Sequence, residues 1–322
     1  MANEELTTTK LVIPETYIDT INEKVKARSV IAALKQGKPR IFANANYMVF
    51  TEKPHGEFVG EGEAKSASPA TFAPVIGRPH KFQTTVRMTE EVVWADEDSR
   101  LRLLDEIIDA LGESVAEGLD YGLIHGWNPR TQTALLGLQS DALATVANQV
   151  TATGNAQADL DSLPDTVLAN GYMVDGIALD LMYANELRKM RVEATGAKMY
   201  PEVTLNLDPA NIDGLRAATA SSVSGSPLSV EGGPQAIIGN WNMLDWGFVR
   251  EFAVEKIMYG DPDGLGDLKR YNQIAYRVEA VFSWAILDPE AFAVLKAAAP
   301  SDTPSDEPSD EPSEEPSEEP TA

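Results

Sequence analysis

The residue types that carry most enzyme chemistry are scarce in this chain, and the few present are not spaced to cooperate. There is no cysteine among its 322 residues, which removes thiolate nucleophiles, thiolate zinc sites and disulfides together. The three histidines, His55, His80 and His125, lack the paired spacing that a histidine-ligated metal or a nucleophile with its base requires. The run Gly260-Asp261-Pro262-Asp263-Gly264-Leu265-Gly266-Asp267 invites a calcium reading. An EF-hand needs an oxygen donor where Leu265 stands, and no glutamate closes the loop, so a hairpin turn is the better account. Neither a phosphate-cradling glycine loop nor a nucleophile elbow occurs. The expectation is no catalytic residue, no cofactor and no metal, with His125 and Trp127 as packing residues.

What the chain does have is a long, unusual arm. Phe82, Thr84, Val86 and Met88 alternate with Gln83, Thr85, Arg87 and Thr89, the period-two signature of a strand with one covered face. Tyr47-Met48-Val49-Phe50-Thr51 supplies an outgoing limb, which Phe58-Val59 can resume. Between the limbs lie Gly60-Glu61-Gly62-Glu63-Ala64-Lys65 and then Ser66 to Pro79, with Pro69, Pro74 and Gly77 as breakers, so a connection of about twenty residues is expected where loops of roughly four to six are usual. A dozen strand residues reach ~40 Å, against a radius of gyration near ~19 Å for a compact chain of this length. The hairpin therefore either folds over its own core or projects towards a sister subunit, and a projecting hairpin needs foreign cover for its apolar side chains. Phe58, Val59, Phe72, Phe82, Val86 and Met88 are the candidates for that subunit interface.

The remaining elements fall into two groups. Pro14 through Lys35 carries Ile18, Ile21, Val25, Val30, Ile31 and Leu34 at short-helix spacing, and Gly37-Lys38-Pro39 ends it. Asp96 to Gly126 predicts the longest helix, with Leu101, Leu104, Ile108, Leu111, Val115 and Leu119 on one stripe. From about Asn128 to Asn240 the elements are shorter: helices over Leu160–Leu168 and Tyr183–Val192, with a buried strand Gly176–Leu179 between them. Long strands return at Phe248–Tyr259 and through Ile274, Tyr276, Val278, Ala280, Phe282 and Trp284. The fold class is α+β.

Charge excludes some partners. The formal net charge is −24, and with the nine carboxylates of the last 23 residues set aside the rest still holds 26 bases against 41 acids. General DNA binding by phosphate neutralisation does not suit such a surface. The exception is Lys24 to Arg40, with Lys24, Lys26, Arg28, Lys35, Lys38 and Arg40 and no acid, which suits a nucleic acid, an acidic neighbour or plain solvent. Beyond Pro300 a Pro-Ser-Asp-Glu repeat has nothing to bury and reads as a disordered, acidic tail lying outside any shell. The acidic start, Met1-Ala2-Asn3-Glu4-Glu5, and the lack of an 18-residue apolar run point to a soluble protein with no membrane partner.

Several stretches are also familiar. Val59-Gly60-Glu61-Gly62-Glu63-Ala64-Lys65, then Thr71-Phe72 and the Lys81–Val93 strand, resemble the extended loop of tailed-bacteriophage major capsid proteins of the HK97 fold. Asp175–Leu179 with the helix through Leu187 and Met190 is similar to the axial domain of that family, and Asp288-Pro289-Glu290-Ala291-Phe292 with the run to Leu295 to its closing strand. The resemblance covers most of residues 40–296, in order. It implies an N-terminal arm (1–40), an extended-loop hairpin (41–94), the spine helix of a peripheral domain (95–128), an axial domain (129–242), peripheral-domain strands (243–284), an axial closing segment (285–299) and the acidic tail (300–322). It implies a structural protein assembled in the host cytoplasm into an icosahedral capsid of hexamers and pentamers. That capsid encloses double-stranded DNA without reading its sequence, alongside a portal and scaffold or decoration proteins. An encapsulin shell, or a monomeric α+β enzyme or binding module, are the alternatives.

One self-reaction comes with the resemblance. Some members of the family join subunits by an isopeptide bond between a loop lysine and an asparagine, assisted by a glutamate. Lys65, Asn272 and Glu279 fall at the matching positions. The amine must lose a proton to attack the carboxamide, and a carboxylate in apolar surroundings can accept it. Glu279 between Val278 and Ala280 suits that role, and its opposite strand parity to Asn272 requires the two to serve different subunits.

Overall fold

The computed structural model describes residues 29–52, 54–99, 103–131, 133–225 and 233–297. The N-terminal segment before Ser29 and the acidic tail, both subjects of expectations above, lie outside the described residues. In chain order the elements are α1 (Val30–Leu34), β1 (Ala45–Glu52), β2 (Thr71–Thr89), α2 (Glu90–Ser99), α3 (Leu103–Asp120) with a π turn (Tyr121–His125), β3 (Trp127–Asn128), β4 (Thr133–Ala134), α4 (Leu136–Gln139), α5 (Leu143–Val146), β5 (Asn148–Thr151), α6 (Ala156–Ala169), β6 (Gly176–Leu179), α7 (Leu181–Lys189), β7 (Asn211–Ile212), β8 (Leu215–Thr219), β9 (Pro234–Gly239), β10 (Leu244–Ile257), β11 (Gln273–Ile286) and β12 (Phe292–Lys296).

Strict alternation in the last long strand organises the first sheet. Ile274, Tyr276, Val278, Ala280, Phe282 and Trp284 are all buried, and their polar neighbours Arg277 and Glu279 are only half-buried. The sheet order is β1-β2-β11-β10. β2 is longer than its breakers suggest. It starts at Thr71, so Ser66 to Pro79 is not one loop: residues 71–77 pair with β1 and residues 78–89 with β11. Each half of β2 has a partner on one side only, and on the open side a proline's missing N–H costs no ladder bond. Pro74 and Pro79 are accommodated in that way.

Helix α3 covers this sheet with Ile108, Leu111, Val115 and Leu119, all buried. Gly118 lets the Phe82 ring lie on the helix, where a Cβ would come within 2.6 Å of it. Thr84 and Ser114 share a 2.8 Å hydroxyl contact beside it. Phe82, Val86 and Met88 thus pack, partly buried, against the home core, the first of the two kinds of cover open to the hairpin. The single helix expected over Asp96–Gly126 is resolved as α2, α3 and a π turn closed by Gly126 at φ 66°. Residues 100–102, between the two helices, lie outside the described residues.

From Ser29 onwards the segment read as an arm belongs to the core. Val30, Ile31 and Leu34 are at most 2 % exposed, and the following residues bond to the outer side of β10: Lys38 N–H to the Trp246 carbonyl at 3.0 Å and Arg40 N–H to Phe248 at 2.8 Å. The Trp246 indole donates to the Lys35 carbonyl at 2.8 Å. Only glycine allows this approach at position 247, since a Cβ there would overlap the Lys38 carbonyl oxygen. Gly247→Ala is expected to detach residues 35–40 from β10 and cost about 2–3 kcal/mol, the upper range for a single backbone clash. Urea unfolding of the unassembled variant measures it.

The second sheet has the order β5-β12-β9-β6-β8-β7. Its strand β6 is buried at all four positions: Ile177 and Leu179 join α6 and α7 in a second apolar cluster around Leu163, Val167, Tyr183 and Leu187, while Ala178 belongs to the first cluster and Gly176 lies against Trp241 and Leu34. Asn155 caps α6 through the N–H groups of Gln157 and Ala158, and Asp180 caps α7 through that of Met182. These elements match the helix-strand-helix order that the sequence predicts.

Candidate assembly surface and cross-link residues

The hairpin between β1 and β2 ends in a shaped tip. Glu57 accepts from both the backbone N–H and the hydroxyl of Ser66, each at 2.7 Å, and these bonds hold its carboxylate below the ordinary range. Glu63 reaches back to the Gly60 N–H at 3.1 Å, and Ser68 accepts from His55 N–H at 2.8 Å. On this frame Phe58 is fully exposed (108 %), with Val59, Phe72 and Phe50 also open. The Phe50 and Phe72 rings lie 4.2 Å apart across the strands. Exposed apolar side chains at the tip and along the limbs of an extended arm suit a contact surface. Of the six interface candidates, Phe58, Val59 and Phe72 remain open, whereas Phe82, Val86 and Met88 serve the subunit itself.

The three cross-link candidates are not brought together within one chain. Lys65 is exposed at the tip, next to Ser66. Asn272 is exposed at the opposite end of β2, where its carbonyl accepts from Glu90 N–H at 2.8 Å. The nineteen residues of β2 span ~60 Å, and the six residues from Lys65 to Thr71 can fold back by no more than about 20 Å, so ~40 Å or more separates the pair. Asn272 also precedes β11 instead of lying on it, in the left-handed conformation at φ 50°, so strand parity does not relate it to Glu279. Nor is Glu279 in an apolar setting: it faces Lys81 at 2.9 Å on the open side of the sheet, with 43 % of its side chain exposed.

The loop that invited a calcium reading is closed by an arginine. Arg87 reaches Asp263 at 2.5 Å, Asp261 at 3.5 Å and the Gly266 carbonyl at 2.8 Å. Asp267 accepts from Gly260 and Arg270 N–H groups. Its carboxylates are thus directed at the protein, and no acidic or histidine cluster among the described residues has a metal-binding arrangement. His125 sits in the core with Nε2 2.8 Å from the Ser222 carbonyl; burial holds it below the usual histidine range, and that bond opposes the shift.

A cluster that sequence reasoning missed surrounds Asp120. The carboxylate is 1 % exposed and accepts from Ser29 Oγ (2.6 Å), Ser222 Oγ (2.8 Å), Val30 N–H (3.1 Å) and Ile31 N–H (3.4 Å). Burial pushes it up to about 6, with the four donors pulling the other way. It ties the start of α1 and the Ser221–Val223 turn to the end of α3. An acid just beyond the apolar stripe of α3 was the available signal, though Asp and Glu are frequent along this helix.

Comparison with known proteins decides what this arrangement belongs to. Residues 9–297 match the family described as phage capsid family. The chain belongs to that family. This phage capsid protein is also similar to a solved chain from Mycobacterium phage Ogopogo, at 36 % identity over 84 % of this chain and 92 % of that one, with a TM-score of 0.76. A chain from Gordonia phage Cozz has 24 % identity, the same 84 % coverage, 87 % of its own length and a TM-score of 0.70. A chain from the capsid of a native GTA particle, at 15 % identity over 84 % and 90 % with a TM-score of 0.57, shares the fold. Comparison with curated proteins finds no match. The phage capsid protein is a structural shell protein of the HK97-like fold and is not an enzyme, and the family match does not favour an encapsulin. No helix among the described residues is long and apolar enough to cross a membrane.

Proposed function

We propose that this major capsid protein closes its shell by laying the tip of the β1–β2 hairpin on an adjacent subunit, in hexamers and pentamers that enclose double-stranded DNA. The observation that carries this reading is Phe58, wholly exposed on a tip that Glu57 and Ser66 hold in shape. In this reading the β1-β2-β11-β10 sheet with α3 is the peripheral domain, the six-stranded sheet with α6 and α7 is the axial domain, and the lattice, built in the host cytoplasm, takes a portal and has room for a scaffold or decoration protein. Electron microscopy of the expressed chain, with the nucleic acid content of particles from infected cells, tests it. Closed shells carrying DNA are expected; a monodisperse monomer overturns it.

The same tip bears the cross-link reading. Lys65 Nζ attacks the Asn272 side-chain carbonyl of another subunit, forming the amide and releasing ammonia, after a base takes the ammonium proton. The separation of ~40 Å or more within one chain supports a bond between subunits. Because Glu279 is engaged by Lys81, it must exchange that partner to act as base. Denaturing gels of assembled particles are expected to show multimers in the native protein and monomer only in Lys65→Arg. A single monomer band from native particles removes the reaction and leaves the assembly reading intact.

A further inference from the structure

The β1–β2 arm shares one strand with the body of the subunit. β2 leaves β1 at Gly77 and takes up β11 at Arg78, and the changeover is tight, since a Cβ at Gly77 would come within 2.9 Å of the Trp284 carbonyl oxygen. One shared strand is a weak mount for a lever, because a strand twists readily about its own axis. From Tyr47 to Phe58 the chain covers up to ~36 Å, so a swing of about 10° at the root carries the tip through ~6 Å. Apolar contacts need atoms within ~4.5 Å of each other, and a tip that wanders so far loses its seat.

A second fastening lies at the root. The hydroxyl of Tyr47, the third residue of β1, donates to Asp245 Oδ2 at 2.8 Å, and Arg40 Nη2 reaches the same oxygen at 2.5 Å. The Arg40 guanidinium also lies over the Tyr47 ring, 5.7 Å from its centroid. Asp245 belongs to β10, and Arg40 is tied to β10 by its own N–H, so of the three only the phenol belongs to the arm. Just 17 % of each charged side chain is exposed, which leaves the ion pair poorly screened by salt. Burial pushes the Asp245 carboxylate up, yet the bonds from Arg40 and Tyr47 prevail and hold it below the usual range. We infer that Arg40, Tyr47 and Asp245 are positioning residues, a clasp that holds the arm at one angle to the body sheet and so presents Phe58 in one direction. The use made of that direction rests on the docking proposed above; the angle itself does not.

The absence of native cysteine lets spin labels be placed at will on the full-length, unassembled subunit. One pair, Lys65→Cys with Glu255→Cys, runs from tip to body; the other, Arg130→Cys with Glu255→Cys, lies within the body, and all three positions are exposed. Pulsed electron resonance is expected to give a narrow tip-to-body distance distribution, at least two-fold broader in Tyr47→Phe, which removes only the hydroxyl. Asp245→Ala should broaden it further, and the body pair should not change in Tyr47→Phe. An unaltered tip-to-body distribution in Tyr47→Phe, or equal broadening of both pairs, overturns the inference. Particle yield of Tyr47→Phe without the labels should fall at least three-fold with no shift of the subunit's urea midpoint. A broadened arm with native yield upholds the clasp and overturns the docking of the tip instead; a native distribution with lost yield overturns the clasp and leaves the docking in place.

Discussion

Replacing Asp120 with alanine is expected to destabilise the subunit by on the order of 4 kcal/mol, seen as a large fall in the urea midpoint of the unassembled chain. The residue looks expendable, a single acid at the end of a helix, yet four donors converge on it. Two of those are hydroxyls that can turn to other partners at little cost. The Val30 and Ile31 N–H groups cannot, and each buried donor left without an acceptor costs about 1–3 kcal/mol. The damage spreads because Asp120 is what fastens the start of α1, with its buried Val30, Ile31 and Leu34, to α3. Asp120→Asn keeps the shape, but it presents an amide N–H₂ to one of the two backbone donors, so an intermediate loss of about 1–3 kcal/mol is expected.

The same carboxylate carries a pH signature. Burial raises it from the ordinary carboxylate range to about 6. Between about pH 4 and 6 the folded chain therefore binds more protons than the unfolded one, and this group's contribution falls as pH rises through that window. Its stabilising share is complete below about pH 4 and gone above about 6. Asp245 and Asp261, held low by hydrogen bonds and arginine neighbours, act with the opposite sign, so the total curve is a compromise. The informative quantity is the unfolding free energy of the native chain minus that of the Asp120→Asn variant, which should decline by about one proton's slope across pH 4–6. A flat difference would show that Asp120 titrates normally.

The second large effect concerns assembly and not folding. Phe58→Ser combined with Phe72→Ser should lower the soluble subunit's unfolding free energy by no more than about 1.5 kcal/mol, because Phe58 already faces water and Phe72 gives up only its half-exposed pairing with Phe50. Each phenylalanine that becomes covered in the shell contributes roughly 1.5–3 kcal/mol. Loss of two per subunit, repeated at every contact, is expected to reduce particle yield by more than ten-fold in sedimentation or light scattering. Phe82→Ala is the contrasting control: its ring lies against Gly118 and the home core, so it should lower subunit stability by about 2–4 kcal/mol. Equal behaviour of the two variants would contradict the division of the arm into an open tip and a covered base.

Much of the fold was legible because its period was clean. The alternation from Ile274 to Trp284 specified a strand and its buried side, and the Gly176–Leu179 run between two helical patterns specified a covered strand. The errors came where local chemistry and long-range pairing disagree. Pro74, Gly77 and Pro79 read as loop residues, yet strand pairing begins at Thr71, because β2 exchanges β1 for β11 midway and so tolerates prolines along its open side. Phe82, Val86 and Met88 read as having either home or foreign cover, since nothing local shows that α3 will lie over them. The candidate chemistry was legible as residue types only. Lys65 is exposed as expected, but the Lys81 partner of Glu279 depends on register across strands nearly two hundred positions apart, and Asn272 ends the Lys269–Tyr271 turn in a left-handed conformation that strand alternation does not reveal.

Both sheets place late strands inside them. β11 lies between β2 and β10, and β12 between β5 and β9, so each sheet stays split until a segment translated near the end of residues 29–297 inserts into the gap. A nascent chain still holding residues 273–296 in the ribosomal tunnel has exposed ladders on both sides of each gap, and such edges invite mispairing. Neither sheet can close before residues 273–296 are available. The lattice-forming shape therefore belongs to the stretch 29–296 as a whole, and no shorter N-terminal piece can acquire it.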